Sequence, residues 1–341
     1  MPQPGNDIDA GELDILGIGN AIVDVVSQVD DAFLADHDLP KGGMTLIDPD
    51  RADSLYADTG PGVESSGGSC ANTIVGAVSF GAQVAYIGKV RDDTLGDTFA
   101  HDIRAAGVGF ATVPLAAGPG TARCLVMVTP DGQRTMGTYL GACVELGPED
   151  IDKELVGRAR VTYLEGYLWD PPRAKEAFLA AMAAAHAHGR QVSLTLSDTF
   201  CVERHRAEFQ ELVENDVDIL FANEDEIRAL YQVDSLDEAL TRVGGRCAVV
   251  AVTRGDQGSL VWADGTFHEV AAERVERVVD TTGAGDSYAA GFLYGYTRGL
   301  DLPVCAHLGS IAAAEIISHL GARPQVSLAQ LAAPVLDASR R

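Results

Sequence analysis

The feature that most constrains the fold of this chain is the alternation of strand-like and helix-like stretches along most of its length. Short apolar runs, which are typical of buried strands, lie at 84–90, 161–168, 192–196, 218–222 and 248–253. Helix-compatible runs lie at 68–80, 93–106, 172–188, 286–298 and 303–319. Such alternation favours an α/β fold with a doubly wound, mostly parallel sheet and helices on both faces.

Two segments interrupt this alternation. Residues 27–66 and 111–142 carry strand and turn signals without long helices, and Pro130-Asp131-Gly132 predicts a hairpin in the second segment. We expect these two pieces to form a small β-sheet lid. The segments 13–26, 67–110 and 143–330 are expected to form one large α/β domain.

The chain is strongly acidic, since 50 Asp and Glu residues against 25 Lys and Arg residues give a net charge of −25. A surface of this charge repels phosphate backbones and anionic lipids, so we expect neither nucleic acid nor a membrane as partner. The six Cys residues include no Cys-x-x-Cys pair, and residues 1–13 lack the apolar core of a signal peptide. A cytoplasmic protein with reduced thiols is therefore expected.

A turn of small residues, Asp280-Thr281-Thr282-Gly283-Ala284-Gly285-Asp286, precedes a strongly predicted helix. Small residues let backbone N–H groups approach an anion, and the helix directs its positive dipole end to the same place. We expect Gly283, Ala284 and Gly285 to donate N–H groups to a transferring phosphoryl group. The helix N-terminus should keep Asp286 ionised, so that it can accept a hydroxyl proton as a general base.

Two predicted strands end in polar residues, and ligands of open α/β sheets bind at the carboxyl ends of the strands. Asn223 and Glu226 follow the strand at 218–222 and lie one helical turn apart. Their oxygen atoms suit Mg²⁺, directly or through water, while the alternative is a capped helix start. Thr253, Arg254 and Gly255 end the strand at 248–253, so they either lie near phosphates or form a turn before a hairpin.

Polar residues also interrupt the apolar N-terminal region. Asn20 and Asp24 lie there, and a buried acid is costly unless it is paired or binds ligand hydroxyls. The glycines at 17 and 19 do not form a dinucleotide fingerprint, because the third glycine and the following helix are missing. Gly67, Gly68 and Asn72 open a helix, which is either a capped entrance or a close approach of the backbone to a polar substrate.

Together these motifs resemble the ribokinase-like (PfkB) carbohydrate and nucleoside kinase family. Gly-Gly-x-x-x-Asn at 67–72, Asn-x-x-Glu at 223–226, Thr-Arg-Gly at 253–255 and the 280–286 turn occur in the order and spacing of that family. The resemblance implies a large nucleotide-binding and catalytic domain, a small β lid, ATP as phosphoryl donor, Mg²⁺, and transfer to a primary hydroxyl. A monomer or a homodimer is expected.

Within the family, the stretches at 19–24 and 67–69 are similar to those of adenosine kinases. This resemblance implies phosphorylation of the 5′-hydroxyl of adenosine. The first alternative is a sugar kinase of the same fold that acts on ribose, fructose or a related furanose. The second alternative is a non-catalytic nucleotide sensor.

The resemblance also implies a role for each site residue. The residues implied to hold the ribose are Asn20, Asp24, Gly67, Gly68 and Asn72. Those implied to lie near the base are Thr45, Ile47 and Leu168. Those implied to contact ATP are Asn223, Thr253, Arg254, Gly255, Gly258 and Ser310. Glu226 would bind Mg²⁺ through water, and a K⁺ site would involve Asp280, Thr282 and Gly321.

Overall fold

The computed structural model describes residues 11–339, which form two β-sheets and the helices that cover them. The strands are β1 (Leu13–Ile18), β2 (Ile22–Gln28), β3 (Met44–Leu46), β4 (Val63–Gly67), β5 (Val84–Ile87), β6 (Gly109–Phe110), β7 (Ala122–Val128), β8 (Arg134–Tyr139), β9 (Ala159–Glu165), β10 (Gln191–Thr195), β11 (Ile219–Asn223), β12 (Val249–Thr253), β13 (Ser259–Ala263) and β14 (Thr266–Val270). The helices are α1 (Asp31–Asp36), α2 (Pro49–Asp58), α3 (Ser69–Phe80), α4 (Thr94–Ala105), α5 (Lys153–Arg158), α6 (Pro172–Ala187), α7 (Thr199–Asn215), α8 (Glu224–Tyr231), α9 (Leu236–Val243), α10 (Ala284–Thr297), α11 (Leu302–Ile317) and α12 (Leu328–Ser339).

The large sheet has nine strands in the order β14-β13-β12-β11-β10-β9-β1-β5-β6. The strands from β12 to β6 are parallel, and β13 and β14 add an antiparallel edge. One apolar cluster joins this sheet to α5–α9, and a second joins it to α3, α4 and α10–α12. Both faces are therefore covered, which explains the continuous apolar runs of the central strands. The predicted α/β fold with a mostly parallel sheet is confirmed.

The small sheet has five strands in the order β3-β8-β7-β2-β4. The hairpin predicted at residues 130–132 joins the antiparallel strands β7 and β8. Helices α1 and α2 contribute to an apolar cluster with strand residues that include Val25, Leu125 and Met127. Helix α2 begins at a cap in which the Asp48 side chain accepts a hydrogen bond from the N–H of Arg51.

The membership of one strand differs from the predicted division of the chain. The sequence places residues 13–26 together in the large domain, yet β2 pairs with β4 and β7 of the small sheet. Only three residues, 19–21, separate β1 from β2, so the two apolar strands resemble a single one in the sequence. The remainder of the division stays a prediction.

The connections between the sheets lie at the carboxyl end of β1. The chain passes from β1 through residues 19–21 into β2, and from β4 through Gly68 into α3. Polar residues of these connections therefore lie at the carboxyl edge of the large sheet, close to the polar residues that follow the other parallel strands. Among residues 11–339, no helix is both long and apolar enough to cross a membrane.

Candidate active site

The turn at 280–283 places the start of α10 at the carboxyl edge of the large sheet. Gly283 has φ +78°, and a Cβ added there would lie 2.7 Å from the Cβ of Ala322. Ala284 N–H donates to Thr281 O (3.2 Å), and Ser287 N–H donates to Gly283 O (2.9 Å). The N–H of Ser287 makes the first hydrogen bond that is typical of the helix. The N–H groups of Gly283 and Gly285 come before it in the chain, so they belong to the first turn of the helix, where anions bind.

Asp286, in the first turn of α10, contacts two residues of α3. Ser69 Oγ donates to Asp286 Oδ1 (2.6 Å), and Asn72 Nδ2 lies 3.5 Å from Asp286 Oδ2. Burial raises the pKa of Asp286 to about 6, although the hydrogen bonds from Ser69 and Asn72 oppose this rise. The predicted effect of the helix N-terminus on the pKa is therefore outweighed by burial, and the carboxylate remains mostly ionised at neutral pH.

Asp24, on β2, lies against the glycines that open α3. A Cβ at Gly67 would lie 2.2 Å from Asp24 Oδ2, and a Cβ at Gly68 (φ +98°) would lie 2.3 Å from Asn20 O. Gly67 therefore makes room for the Asp24 side chain, and Gly68 makes room for the backbone at Asn20. No described residue donates a hydrogen bond to the Asp24 carboxylate, while burial raises its pKa to about 6 against the opposing charges of Arg323 and Arg134.

Glu165, at the end of β9, holds Asn20 in place. The fully buried Glu165 accepts hydrogen bonds from Asn20 N–H (2.8 Å), Asn20 Nδ2 (2.6 Å) and Cys70 N–H (2.7 Å). Burial raises the pKa of Glu165 to about 7, against these hydrogen bonds. Sequence reasoning missed Glu165, although an acid within the strand-like run at 161–168 is the same kind of signal that singled out Asp24.

A cavity of about 170 Å³ lies beside Asp286, and four residues with predicted site roles, Asn223, Glu226, Thr253 and Gly285, are part of its lining. The helix-cap alternative is also realised, because Asn223 Oδ1 accepts from Glu226 N–H and Glu226 accepts from Asn223 N–H and Nδ2. Burial raises the pKa of Glu226 to about 7. The residues of the cavity that were not predicted are Ser69, Thr195, Ser197, Phe221, Ala222 and Tyr288.

Other predicted ATP contacts have structural partners and do not line this cavity. Arg254 pairs with Glu269 (2.5 Å), and Gly255 (φ +58°) forms the adjoining turn. Gly258 (φ +83°) approaches β14 so closely that a Cβ would lie 2.1 Å from Val270 O. Ser310 Oγ accepts a hydrogen bond from Glu273 N–H (2.6 Å).

Asp280 joins the turn at 280–283 to the small sheet. It accepts hydrogen bonds from the N–H groups of Thr282 (3.1 Å) and Gly321 (3.2 Å), and it pairs with Arg134 of β8 (2.9 Å). The side chains of Arg134 and Asp280 are only 11% and 8% exposed. With these three contacts the carboxylate fits a structural role better than K⁺ binding. Sequence reasoning missed Arg134, which no local pattern distinguishes.

The small sheet carries a second, apolar pocket of about 240 Å³, lined by Leu46, Ile47, Pro119, Thr138, Tyr139, Leu140, Gly141 and Val144. Asp24 pairs across the sheet with Cys124, Cys124 with Thr138, and Thr138 with Leu46. Directly paired residues point to the same face, so this row runs from Asp24 to the pocket. Two strand spacings, about 10 Å, separate Asp24 from Thr138.

The two predicted base contacts at residues 45 and 168 lie outside this pocket. Thr45 is next to Leu46 on β3 but does not line the pocket. Leu168 is 1% exposed and packs in the apolar cluster of the large sheet, because the 3₁₀ turn Gly166–Trp169 directs it there. Ile47 does line the pocket.

The buried acid Asp24 predicts a distinctive pH dependence of stability. Its pKa in the folded protein is raised, so its contribution to stability is complete below its ordinary pKa near 4 and decreases as the pH rises through about 6. Between pH 4.5 and 7.5, the free energy of unfolding of wild type should therefore fall more than that of Asp24→Asn. The expected difference is on the order of 1 kcal/mol in denaturant titrations. Parallel pH dependences of the two proteins would contradict this account.

Several known proteins are similar to this chain in sequence or in fold. The model of the pfkB family carbohydrate kinases matches residues 36–328. The crystal structure of an adenosine kinase from Sinorhizobium meliloti is similar with a TM-score of 0.89 and 53% identity, over 95% of this chain and 99% of that chain. A probable sugar kinase from Rhizobium etli has a TM-score of 0.89 and 51% identity, over 95% and 98% of the two chains. An uncharacterized sugar kinase from Archaeoglobus fulgidus is 30% identical over 256 residues, which are 73% of this chain and 97% of that protein.

Proposed function

Because the chain belongs to the pfkB family of carbohydrate kinases, we propose that it transfers the γ-phosphoryl group of ATP to the 5′-hydroxyl of adenosine. The observation that carries this proposal is the row of side chains that connects Asp24 with the apolar pocket of the small sheet. The 53% identity to an adenosine kinase supports the same acceptor.

The acceptor binds between Asp24 and the apolar pocket. The Asp24 carboxylate accepts hydrogen bonds from the ribose hydroxyls, since no described residue uses its oxygens. Asn20 presents its Oδ1, because Glu165 holds its Nδ2. The pocket then receives the base, whose distance from the ribose hydroxyls suits the separation of about 10 Å along the sheet. A free furanose would leave the pocket unfilled.

Asp286 is the general base in this proposal. Its Oδ1 already accepts the short hydrogen bond from Ser69, so Oδ2 is the oxygen that accepts the proton of the 5′-hydroxyl. A pKa of about 6 leaves Asp286 mostly ionised at pH 7 and still basic enough to take a proton. The N–H groups at the start of α10 hold the negative charge of the transferring phosphoryl group.

Kinases of this family use ATP, usually with Mg²⁺. Glu226 fits a role in holding this ion, because its carboxylate lines the cavity beside Asp286 and oxygen ligands suit Mg²⁺. When bound, Mg²⁺ would neutralise phosphate charge. Arg134 and Asp280 link the small sheet to the phosphate-binding turn, so closing this sheet over the acceptor would exclude water from the reaction.

A sugar kinase is the second candidate, because two of the similar proteins are named as sugar kinases. A panel of adenosine, cytidine, ribose and fructose, with ADP release as the readout, distinguishes the two. We expect kcat/KM for adenosine to exceed that for ribose by about 10²-fold or more, because the base adds apolar contacts. A free sugar that surpasses adenosine would replace the proposed acceptor. ATP binding without turnover of any acceptor would favour a nucleotide sensor.

Substitution of Leu46 tests the base pocket directly. Leu46 lines the pocket and is 53% exposed, so Leu46→Asp should fold normally while placing a carboxylate beside the base. We expect KM for adenosine to rise about 10-fold, with KM for ATP unchanged, because the carboxylate must lose water when the base binds. Met44→Asp is the matched control, since Met44 lies on the same face of β3, is 47% exposed and does not line the pocket. Equal effects of the two substitutions would argue against base binding there.

A further inference from the structure

Arg323 lies in the loop between α11 and α12, and this loop is anchored on both sides of it. Before Arg323, Gly321 N–H donates to Asp280 Oδ2 (3.2 Å). After it, Gln325 N–H donates to Glu315 Oε1 (2.9 Å). The backbone of the loop at Arg323 is therefore held relative to the phosphate-binding turn and α11.

A chain of polar contacts joins Arg323 to the general base. Arg323 Nε donates to Asn72 Oδ1 at 3.4 Å, and Asn72 Nδ2 faces Asp286 Oδ2 at 3.5 Å. Both contacts lie at the long end of the range for hydrogen bonds. A guanidinium group only donates and an ionised carboxylate only accepts, whereas an amide has one end of each kind. Only one orientation of the Asn72 amide therefore satisfies both neighbours.

A purely structural role does not account for Arg323. It forms no ion pair with the described residues, and its Nη2 is buried without a hydrogen-bond partner among them. The charges of Asp24 and Asp102 act on its pKa from beyond ion-pair distance, and both oppose the lowering that burial causes. The contact that fixes the guanidinium group is therefore the one to Asn72.

We propose that Arg323 is a positioning residue, which holds the Asn72 amide with its NH₂ end toward Asp286 and thereby keeps Asp286 ready to accept a proton. The inference rests on the proposed function of Asp286 as general base. Without Arg323, the amide can turn so that Asn72 Oδ1 accepts a hydrogen bond from protonated Asp286. That arrangement stabilises the form of Asp286 that cannot accept the substrate's proton.

Other ionisable groups also face Asp286, and their titration must be distinguished from the effect of Arg323 on the pH profile. They are Asp24 on β2, Cys70 on α3, Tyr163 and Glu165 on β9, Tyr167 in the following turn, and Glu226 on α8, which lines the same cavity as Asp286. Burial raises the pKa of Asp24 to about 6 and the pKa values of Glu165 and Glu226 to about 7, so the acidic limb of a pH–rate profile has several contributors. Arg323 also acts on Asp24 through its charge, and this route does not pass through Asn72.

The test is the pH profile of kcat/KM for wild type, Arg323→Met, Asn72→Ala and the double variant, measured with the acceptor that wild type uses best. We expect Arg323→Met to shift the acidic limb to higher pH by about 0.5–1 unit. This shift lowers kcat/KM about 3- to 10-fold at about pH 5.5 and changes it little at about pH 8.5. In the Asn72→Ala background, the same substitution should move the limb much less. An unmoved limb in Arg323→Met, or equal shifts in both backgrounds, would overturn the inference.

Two further variants keep the test decisive. Arg323→Lys retains a donor for Asn72 and should restore the wild-type limb, so a limb shifted as in Arg323→Met would count against the inference. If Arg323→Met does not fold, Arg323→Gln replaces it, because its amide can present either end to Asn72 and should give an intermediate shift. A wild-type protein inactive toward every acceptor would contradict the proposed function itself, whereas active variants with unmoved limbs contradict only the role of Arg323.

Discussion

Asp286→Asn is expected to lower kcat about 10²- to 10⁴-fold while leaving the affinity for ATP nearly unchanged. The amide cannot accept the proton of the attacking hydroxyl, but it can still accept the hydrogen bond that Ser69 donates. The start of α10 keeps its N–H groups, so the phosphate site remains intact. Steady-state kinetics and ATP titration calorimetry together measure both parts of this prediction.

Asp301→Asn is the matched control for this substitution. Asp301 also stands at the start of a helix, α11, but it is exposed and its side chain makes no cap hydrogen bond. Its amide variant should keep wild-type kcat. Turnover of Asp286→Asn within a factor of a few of wild type would remove Asp286 from the mechanism.

Gly67→Ala should lower kcat/KM for the acceptor about 10²- to 10⁴-fold, mainly through KM. The added methyl group would lie 2.2 Å from Asp24 Oδ2, so the carboxylate must turn out of the acceptor site. Asp24 would then lose its hydrogen bonds to two ribose hydroxyls. A hydrogen bond to a charged group such as this carboxylate is worth about 1.5–3 kcal/mol. Acceptor kinetics at saturating ATP measure this loss, and thermal melting shows whether the variant folds.

Two comparisons isolate the displacement of Asp24. Gly60→Ala is the matched control, because Gly60 is exposed and a Cβ there would meet no atom within 4 Å. In the Asp24→Ala background, Gly67→Ala should cost little more, since the carboxylate that it displaces is already absent. Independent, additive effects of the two substitutions would show that Gly67 acts by another route.

The parts of this protein that could be predicted from its sequence are those with a local signal. The alternation of apolar runs predicts the parallel sheet, because buried parallel strands need apolar residues on both faces. The small residues at 283–285 and the acid at 286 predict the start of α10, since helix entry and anion binding use the same backbone groups. Asn223 and Glu226 follow a strand directly, so the sheet edge brings them to the same cavity as Asp286.

The remaining features depend on contacts between distant parts of the chain. Arg134 reaches Asp280 from β8, and Arg323 reaches Asn72 from the loop after α11, over sequence separations that no local pattern reveals. The family resemblance alone implies a place near the base for Leu168, but tertiary packing buries it in the core of the large sheet. Arg254 has the charge for phosphate binding, but it forms an ion pair with Glu269 of β14, two strands away in the sheet.

Product analysis by ³¹P NMR, after incubation of the wild-type protein with MgATP and adenosine, addresses the central claim most directly. The account predicts one new phosphomonoester signal, that of a nucleoside phosphorylated at its 5′-oxygen, which grows in step with ADP and is absent with Asp286→Asn. Inorganic phosphate as the only new species, or a 5′-phosphate formed equally fast by Asp286→Asn, would contradict it.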